Sequence, residues 1–590
     1  MAELLHGEGG PAVVDLLLRA EHSRRLLLLR ILDDTTDLGP AWELLSEAQR
    51  LAPSVVDTLF RYPQTGMWLA TALRRLRGAG HLDEPPLWVV LSHISALAAA
   101  AALRAELDFA IEVPVWQGFA PLPTLGSAEL PVSERWSMAT VRSESGHAVV
   151  EASGTTVALP LPRDSPAPGW HPVRRLAVGP SERRLEVTLE DVDPFRTYPQ
   201  PTGPHPLSDE AAGQWREVLK QAWEVLSREQ PGSAEAMRRG VFSLTPTPAT
   251  ERFRPRSVTA GDAFGGIEAS EPDDAVQLAV TLVHEFQHTK LGGLLHLTPL
   301  VSDSTDRSPE LWYAPWRDDP RPLAGLLQGI YAFVGITDFW RTHRTAHAGR
   351  TAMAHFEFAL WREHVMTAMD QVHRHPHLTP LGAALLDTLR NRCAGWLKEP
   401  VPEEQLALAG LCVADHAARW RAHHLRPSPS GVAETVRAWL SGASGPPPEL
   451  ATTPEVVPDR SARWLDSLAM LVRHRLDSQD GGPASPEAPE KADAEVTGAL
   501  PADAFLAAGD ATAACDAYVA QLSTDRPPAG AWAGLGQALR ISGHAPRAAH
   551  LLGRHPERAR AVHDALARAA HSAPDPIRLA TWLGSPPTSR

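Results

Sequence analysis

The chain has 590 residues, of which 43% are hydrophobic and 21% charged, and a formal net charge of −14. That length suits about four domains of roughly 150 residues, and the composition is that of a chain able to bury cores, which excludes general disorder. The acidic balance excludes a main role in neutralising nucleic-acid phosphates, because that needs a basic face.

Three cysteines, Cys393, Cys412 and Cys515, lie far apart without CxxC spacing. They are too few for a disulfide framework, so a reducing cytoplasm is expected. The first residues, "MAELLHGEGGPAVVDLLLRAEHSRRLLLLRILDD", scatter charges through the apolar pattern that an export signal would keep uninterrupted. The most apolar run, "ISALAAAAALRAELDFAIEV" (94 to 113), is interrupted by Arg104, Glu106 and Asp108 and is expected to form a buried helix, with no membrane partner.

In chain order, residues 1–110 carry apolar side chains at helical spacing, broken at Pro40, Pro53 and Pro85-Pro86, which predicts a helical N-terminal region. Residues 111–205 change to short alternating runs, among them "HAVVEASGTTVALPL" and "RLEVTLEDV", which predict a small antiparallel sheet. Segment 206–476 is expected to be a helical catalytic domain. It opens with a helix over 208–229 started by Ser208 and Glu210, followed by short strands in "GVFSLTPT" and "GGIEAS". Residues 477–498 are rich in Pro, Ala, Glu and Gly and predict a flexible linker. The remainder, 499–590, contains a weak repeat in which Gly509 and Ala514 correspond to Gly543 and Ala548, 34 residues on. Because tetratricopeptide (TPR) helix pairs repeat at about this period, a TPR-like module is expected, with a simple helical bundle as the alternative. The fold class is therefore mainly α with a small antiparallel β region (α+β).

The stretch that carries chemistry is "AVTLVHEFQHTK" (279 to 290). Ser270, Pro272 and Asp273 predict a helix start, and Gly292-Gly293 a stop. On that helix His284 and His288, one turn apart, project from one face and can share a metal ion, with Glu285 beside them. With 26 histidines in the chain, a surface helix bearing two solvated histidines is the competing reading. The apolar neighbours Val280, Leu282, Val283 and Phe286 favour a buried, zincin-like metal helix. Two chemistries fit. A zinc peptidase would use Glu285 as general base on a metal-bound water, whereas a non-haem iron oxygenase would leave open positions for a 2-oxo acid and dioxygen.

A third ligand would separate them. The longer motif HExxHxxGxxH fails at Leu291 and Leu294. Glu310 lies 22 residues beyond His288 but in a Pro-flanked setting. On the next helix, 321–344, Gln328 and Asp338 share a face with Tyr331 and Gly335, so Gln328, Asp338 and Glu310 are all candidates. Between the helices, "ELWYAPWRDDPRP" offers Tyr313 and either Arg317 or Arg321 to grip a carboxylate. A well-packed loop is the simpler account of it.

Taken together, "LVHEFQHTKLGGLLHL", "YAPWRDDPRPLAGLLQG" and "YAFVGITDFWR" resemble the αKG-HExxH family of peptide β-hydroxylases associated with ribosomally made peptide natural products, closely over about residues 208 to 370. The resemblance implies an Fe(II) and 2-oxoglutarate dependent oxidoreductase that hydroxylates a side-chain Cβ of a precursor peptide, with a peptide-maturation enzyme as a further partner. His284 and His288 would bind the metal, the loop around Arg317 and Arg321 would flank the co-substrate, and on the matching helix Gln328 stands where a His or carboxylate third ligand is expected. The alternatives are a zinc peptidase with Glu285 as base, and a non-catalytic helical adaptor.

Overall fold

The computed structural model describes residues 1–79, 84–302, 310–346, 351–479, 496–570 and 574–587. Its contacts divide the chain into two units, Met1–Pro299 and Leu300–Arg590. The boundary falls inside the segment expected to be one catalytic domain, and the HExxH helix belongs to the first unit. The fold is α+β and mainly helical.

The first unit starts with helices α1 (Ala2–Leu5), α2 (Pro11–Thr35), α3 (Gly39–Leu51), α4 (Pro53–Arg61), α5 (Pro63–Leu76), α6 (Leu87–Leu91) and α7 (His93–Arg104). Proline stands in the first turn of α2 through α5, where a missing N–H removes no helical hydrogen bond. In α7 the alanines 96 and 98 to 102 are all buried, and their small side chains let the helix lie close against β1 (Phe109–Trp116). The run expected as one buried helix to residue 113 thus ends at Arg104. Glu106 takes a positive φ of 56°, and "FAIEVPVW" pairs residue by residue with Trp136–Glu144, so that cross-strand pairing takes over where the alanine run ends.

Strands β1, β2 (Phe119–Leu122), β3 (Gly126–Glu129), β4 (Trp136–Glu144), β5 (His147–Ala152), β6 (Thr155–Leu159) and β7 (Trp170–Pro172) form an antiparallel sheet ordered β6-β5-β4-β1-β2-β3-β7. It curls into a near-barrel whose edge strands β6 and β7 approach each other. The second sheet contains β8 (Arg174–Val178), β9 (Leu185–Leu189), β10 (Ser243–Thr247), β11 (Ser257–Val258) and β12 (Gly266–Ser270), ordered β11-β12-β10-β9-β8. The expectation of a purely antiparallel region does not extend to this sheet, since β9 with β10 and β10 with β12 pair in parallel. Helices α8 (Asp209–Glu229) and α9 (Pro231–Gly240) form the crossover between β9 and β10 that parallel pairing requires. Ser208 caps α8 as expected, accepting from the Ala211 N–H. Helix α10 (Ala275–Leu295) follows β12 and packs against α8.

The second unit begins with the short strands β13 (Leu311–Trp312) and β14 (Arg321–Pro322). The helices α11 (Leu323–Ala346), α12 (Thr351–Val372), α13 (Pro380–Trp396) and α14 (Glu403–His424) come next. After β15 (Leu425–Arg426), α15 (Pro429–Leu440) and β16 (Glu455–Val456), α16 (Ser467–Gln479) runs through the start of the expected linker, most of which, 480–495, lies outside the described residues. Helices over 501–508, 511–522, 529–542 and 546–554 form two hairpins. Gly509 and Gly543, the two repeat-related glycines, end the first helix of each in the left-handed region, at φ 89° and 71°. These helices pack on α14 and α16 instead of standing apart. The Arg419 guanidinium of α14 bonds Asp415 and Asp503, each at 2.6 Å, and the Tyr518 hydroxyl also donates to Asp503.

Two helical stretches, Leu87–Arg104 and Leu323–Ala346, are long and apolar enough to cross a membrane by length and composition, but 67% and 72% of them is buried within the fold.

Candidate metal centre

Helix α10 is capped by Asp274, whose carboxylate accepts from the Gln277 N–H. The expected cap, Ser270, is instead the last residue of β12, and its hydroxyl accepts from the Arg256 N–H. Nor do Gly292 and Gly293 stop the helix, which continues to Leu295. A Cβ on Gly293 would come within 2.9 Å of the Phe264 ring, so this glycine serves close packing and not termination.

The helix buries most of its surface, and its centre brings the two motif histidines together. His284 Nε2 and His288 Nε2 are 3.2 Å apart, with the rings edge to face at 4.8 Å. Metal–nitrogen bonds run about 2.0–2.1 Å, so one ion can reach both nitrogens. Burial lowers both imidazoles to a pKa of about 4. They are neutral at pH 7, as ligands must be.

Glu285 is 1% exposed. Its Oε1 accepts from the Ser257 hydroxyl at 2.5 Å and lies 3.8 Å from His284 Nε2. Thr259 Oγ1 donates to the Glu285 carbonyl. Burial raises the Glu285 pKa against the opposing influence of His288 and of the Ser257 hydroxyl. Glu268, on β12, is also raised, first by burial and in part by the charge of Glu285. Sequence reasoning passed over Ser257, Thr259 and Glu268. Ser257 and Thr259 lie in and just after a two-residue strand with no periodicity to read. Among the described residues, no group of three or more His, Cys, Asp and Glu side chains is placed to hold a metal.

The other expected site residues belong to the second unit. Tyr313, expected at the co-substrate, is 9% exposed and packs with Trp420, Leu425 and Leu465. Its hydroxyl is engaged with His416 Nδ1 at 2.8 Å, so it is a core residue of that unit. Arg317 and Arg321 both face one carboxylate, Asp319, with contacts of 2.7 and 3.1 Å. Against the effect of burial, these two cations hold Asp319 below the usual carboxylate range. The loop is well packed. Asp318 accepts from the Trp464 and Leu465 N–H groups, and Trp316 stacks on Phe333 at 4.5 Å. Gly329 makes room for that stack, because its Cβ would lie 2.5 Å from Trp316.

Of the third-ligand candidates, Glu310 meets His375 at 3.1 Å and Asp338 meets Arg392 at 2.8 Å. Both carboxylates are thus engaged by other side chains. Gln328, in contrast, is exposed on an otherwise largely buried helix.

No protein-family model matches this chain, and no curated protein matches it.

Proposed function

We propose that this protein is a metal-dependent enzyme that modifies a peptide, and that its reaction is Fe(II) and 2-oxoglutarate dependent hydroxylation of a side-chain Cβ. The observation that carries the proposal is the 3.2 Å approach of His284 Nε2 and His288 Nε2, both neutral and both on one helix face. The resemblance over residues 208 to 370 supplies the reaction class. Fe(II), when bound, would supply dioxygen activation coupled to oxidation of the 2-oxo acid. His284 and His288 would hold it, and the resemblance gives Gln328 a ligand role and Arg317 and Arg321 a co-substrate role. In this reading Glu285 is a positioning residue, tied to β11 through Ser257.

Two finer fold readings belong with the proposal. A zincin-like metal helix is supported by the strand order, in which α10 directly follows β12 and β11 runs antiparallel along the sheet edge. Among the described residues no strand pairs with the outer edge of β11, which suits addition of an extended peptide. A TPR-like character of the C-terminal hairpins is supported by the equivalent left-handed turns at Gly509 and Gly543.

One observation favours a second reading, zinc-dependent hydrolysis of a peptide. The Glu285 carboxylate lies 3.8 Å from His284 Nε2, and burial raises its pKa, the direction that favours a general base. The test is anaerobic loading with Fe(II), followed by conversion of 2-oxoglutarate to succinate in air, with His284→Ala as control. Turnover lost in the variant upholds the oxygenase. Absent turnover, combined with zinc-dependent peptide cleavage that Glu285→Gln abolishes, replaces it with the peptidase.

A further inference from the structure

One cavity of the first unit is lined by none of the HExxH residues. It is a groove of about 800 Å³ walled by the near-barrel, the loop over 197–205, the start of α8 and the ends of β10 and β12. Its size falls in the range of specific ligand sites, roughly 300 to 1,000 Å³.

Three tryptophans, Trp116, Trp136 and Trp215, give it flat apolar walls. Two of its lining residues have polar atoms that are costly to leave as they are. Trp116 is 2% exposed and its Nε1 donor has no hydrogen-bond partner among the described residues. Asp191 is 3% exposed; Oδ2 is bound by Arg174 and the Leu207 N–H, but Oδ1 is without a partner. Trp116, on β1, thus offers an orphan donor and Asp191, just past β9, an orphan acceptor, the complements of the C=O and N–H of a peptide amide.

The groove also holds two cations with different standing. Arg196 is spent on the carbonyls of Asp193, Thr202 and Gly203, and so fixes the loop. Arg135 is exposed, lies over the Trp136 ring at 4.4 Å, and has no acidic partner within salt-bridge distance among the described residues. A guanidinium resting over an indole, and free of an acidic partner, can meet a carboxylate. Because Asp191 and Glu271 also line the groove, a polyanion would be repelled, whereas a chain with a single carboxylate would not.

We propose that this groove binds an extended peptide segment with one carboxylate against Arg135, an apolar side chain on the tryptophan walls and a main-chain amide at Trp116 and Asp191. It is a recognition site separate from the two histidines, and it stands or falls independently of the reaction proposed for them.

The test is fluorescence anisotropy of the full-length protein with fluorescein-labelled random decapeptide pools. One amidated pool has a fixed central Glu, a second a fixed central Lys, and a third a central Ala with a free C-terminal carboxylate. Binding of the Glu or free-acid pool at least about fivefold tighter than the Lys pool is expected, the worth of one partly exposed ion pair; which of the two binds tells whether a side chain or a C-terminus supplies the carboxylate. Arg135→Glu should abolish the preference, Trp136→Ala should weaken binding, and His284→Ala should leave it unchanged. Equal binding of all pools, no binding of either acidic pool, or a preference that survives Arg135→Glu would overturn the proposal. Arg135 is exposed, so loss of fold does not confuse the outcome.

Discussion

Ser257 donates its hydroxyl to Glu285 at 2.5 Å, joining a two-residue edge strand to the centre of the HExxH helix. The carboxylate is almost fully buried, and the Ser257 hydroxyl is a hydrogen-bond donor to its Oε1. Ser257→Ala should therefore destabilise the protein by about 1–3 kcal/mol, the cost of leaving a buried acceptor unsatisfied. Ser257→Thr, which keeps the hydroxyl, should recover part of the loss. Urea unfolding at pH 7.5 measures both, and a loss under about 0.5 kcal/mol for the alanine variant would show that the bond does not hold Glu285.

Metal uptake should depend little on pH between 7.5 and 5.5. With both imidazoles at about 4 in the metal-free protein, neither has a proton to displace in that window. The same depressed values have a stability consequence of opposite direction. The unfolded histidines protonate near 6.5 while the buried ones do not, so the metal-free fold should weaken as pH falls from about 6.5 toward 4. Calorimetric Zn(II) titration in buffers of different ionisation enthalpy counts the released protons. Release of a full proton at pH 5.5 contradicts the expectation.

Beyond β9, the carboxylates of Glu190 and Asp193 are buried together, and the Tyr62 hydroxyl donates to Glu190. Burial, reinforced by Glu190, pushes the Asp193 pKa up to about 8. The folded state thus holds a proton that the unfolded chain gives up near 4, so this contribution is complete below that pH and is lost as pH rises through about 8. Asp193→Asn can keep the acceptor for the Phe195 N–H while removing the titration. Its unfolding free energy should decline less than the parent's between pH 5 and 9, and parallel slopes would refute the assignment.

Arg419 serves two buried carboxylates, Asp415 and Asp503. Arg419→Met should cost about 3–5 kcal/mol, because it strands both charges. Adding Asp415→Asn and Asp503→Asn should return much of that loss. Failure of the triple variant to improve on the single one in denaturant unfolding would place the cost in packing, not charge.

How far the sequence was legible follows the range of the forces involved. The helix bearing His284 and His288 was readable because its apolar period is local, and so was the Ser208 cap. The cap of α10 was misplaced because Ser270 has equal local credentials to Asp274, and only pairing in β12 takes it out of play. Gly293 read as a stop for a similar reason, since Phe264 across the packing is invisible from within the helix. The site around Glu285 was half legible. The motif names the carboxylate, but the Ser257 that holds it comes from a strand defined by its neighbour alone. For Tyr313, aromatic and apparently available in a loop, the sequence does not show that His416, about a hundred residues on, occupies its hydroxyl.

The loop between Arg317 and Arg321 already contains an anion. Asp319 sits between the two cations with its charge favoured by them. A 2-oxo acid arriving there would enter by exchange, and its affinity would be the difference between two carboxylates competing for the same guanidinium groups. Asp319→Asn should then tighten 2-oxoglutarate binding while loosening the loop itself. On the proposed reading the resident aspartate would make the site selective, because a weakly held anion could not evict it.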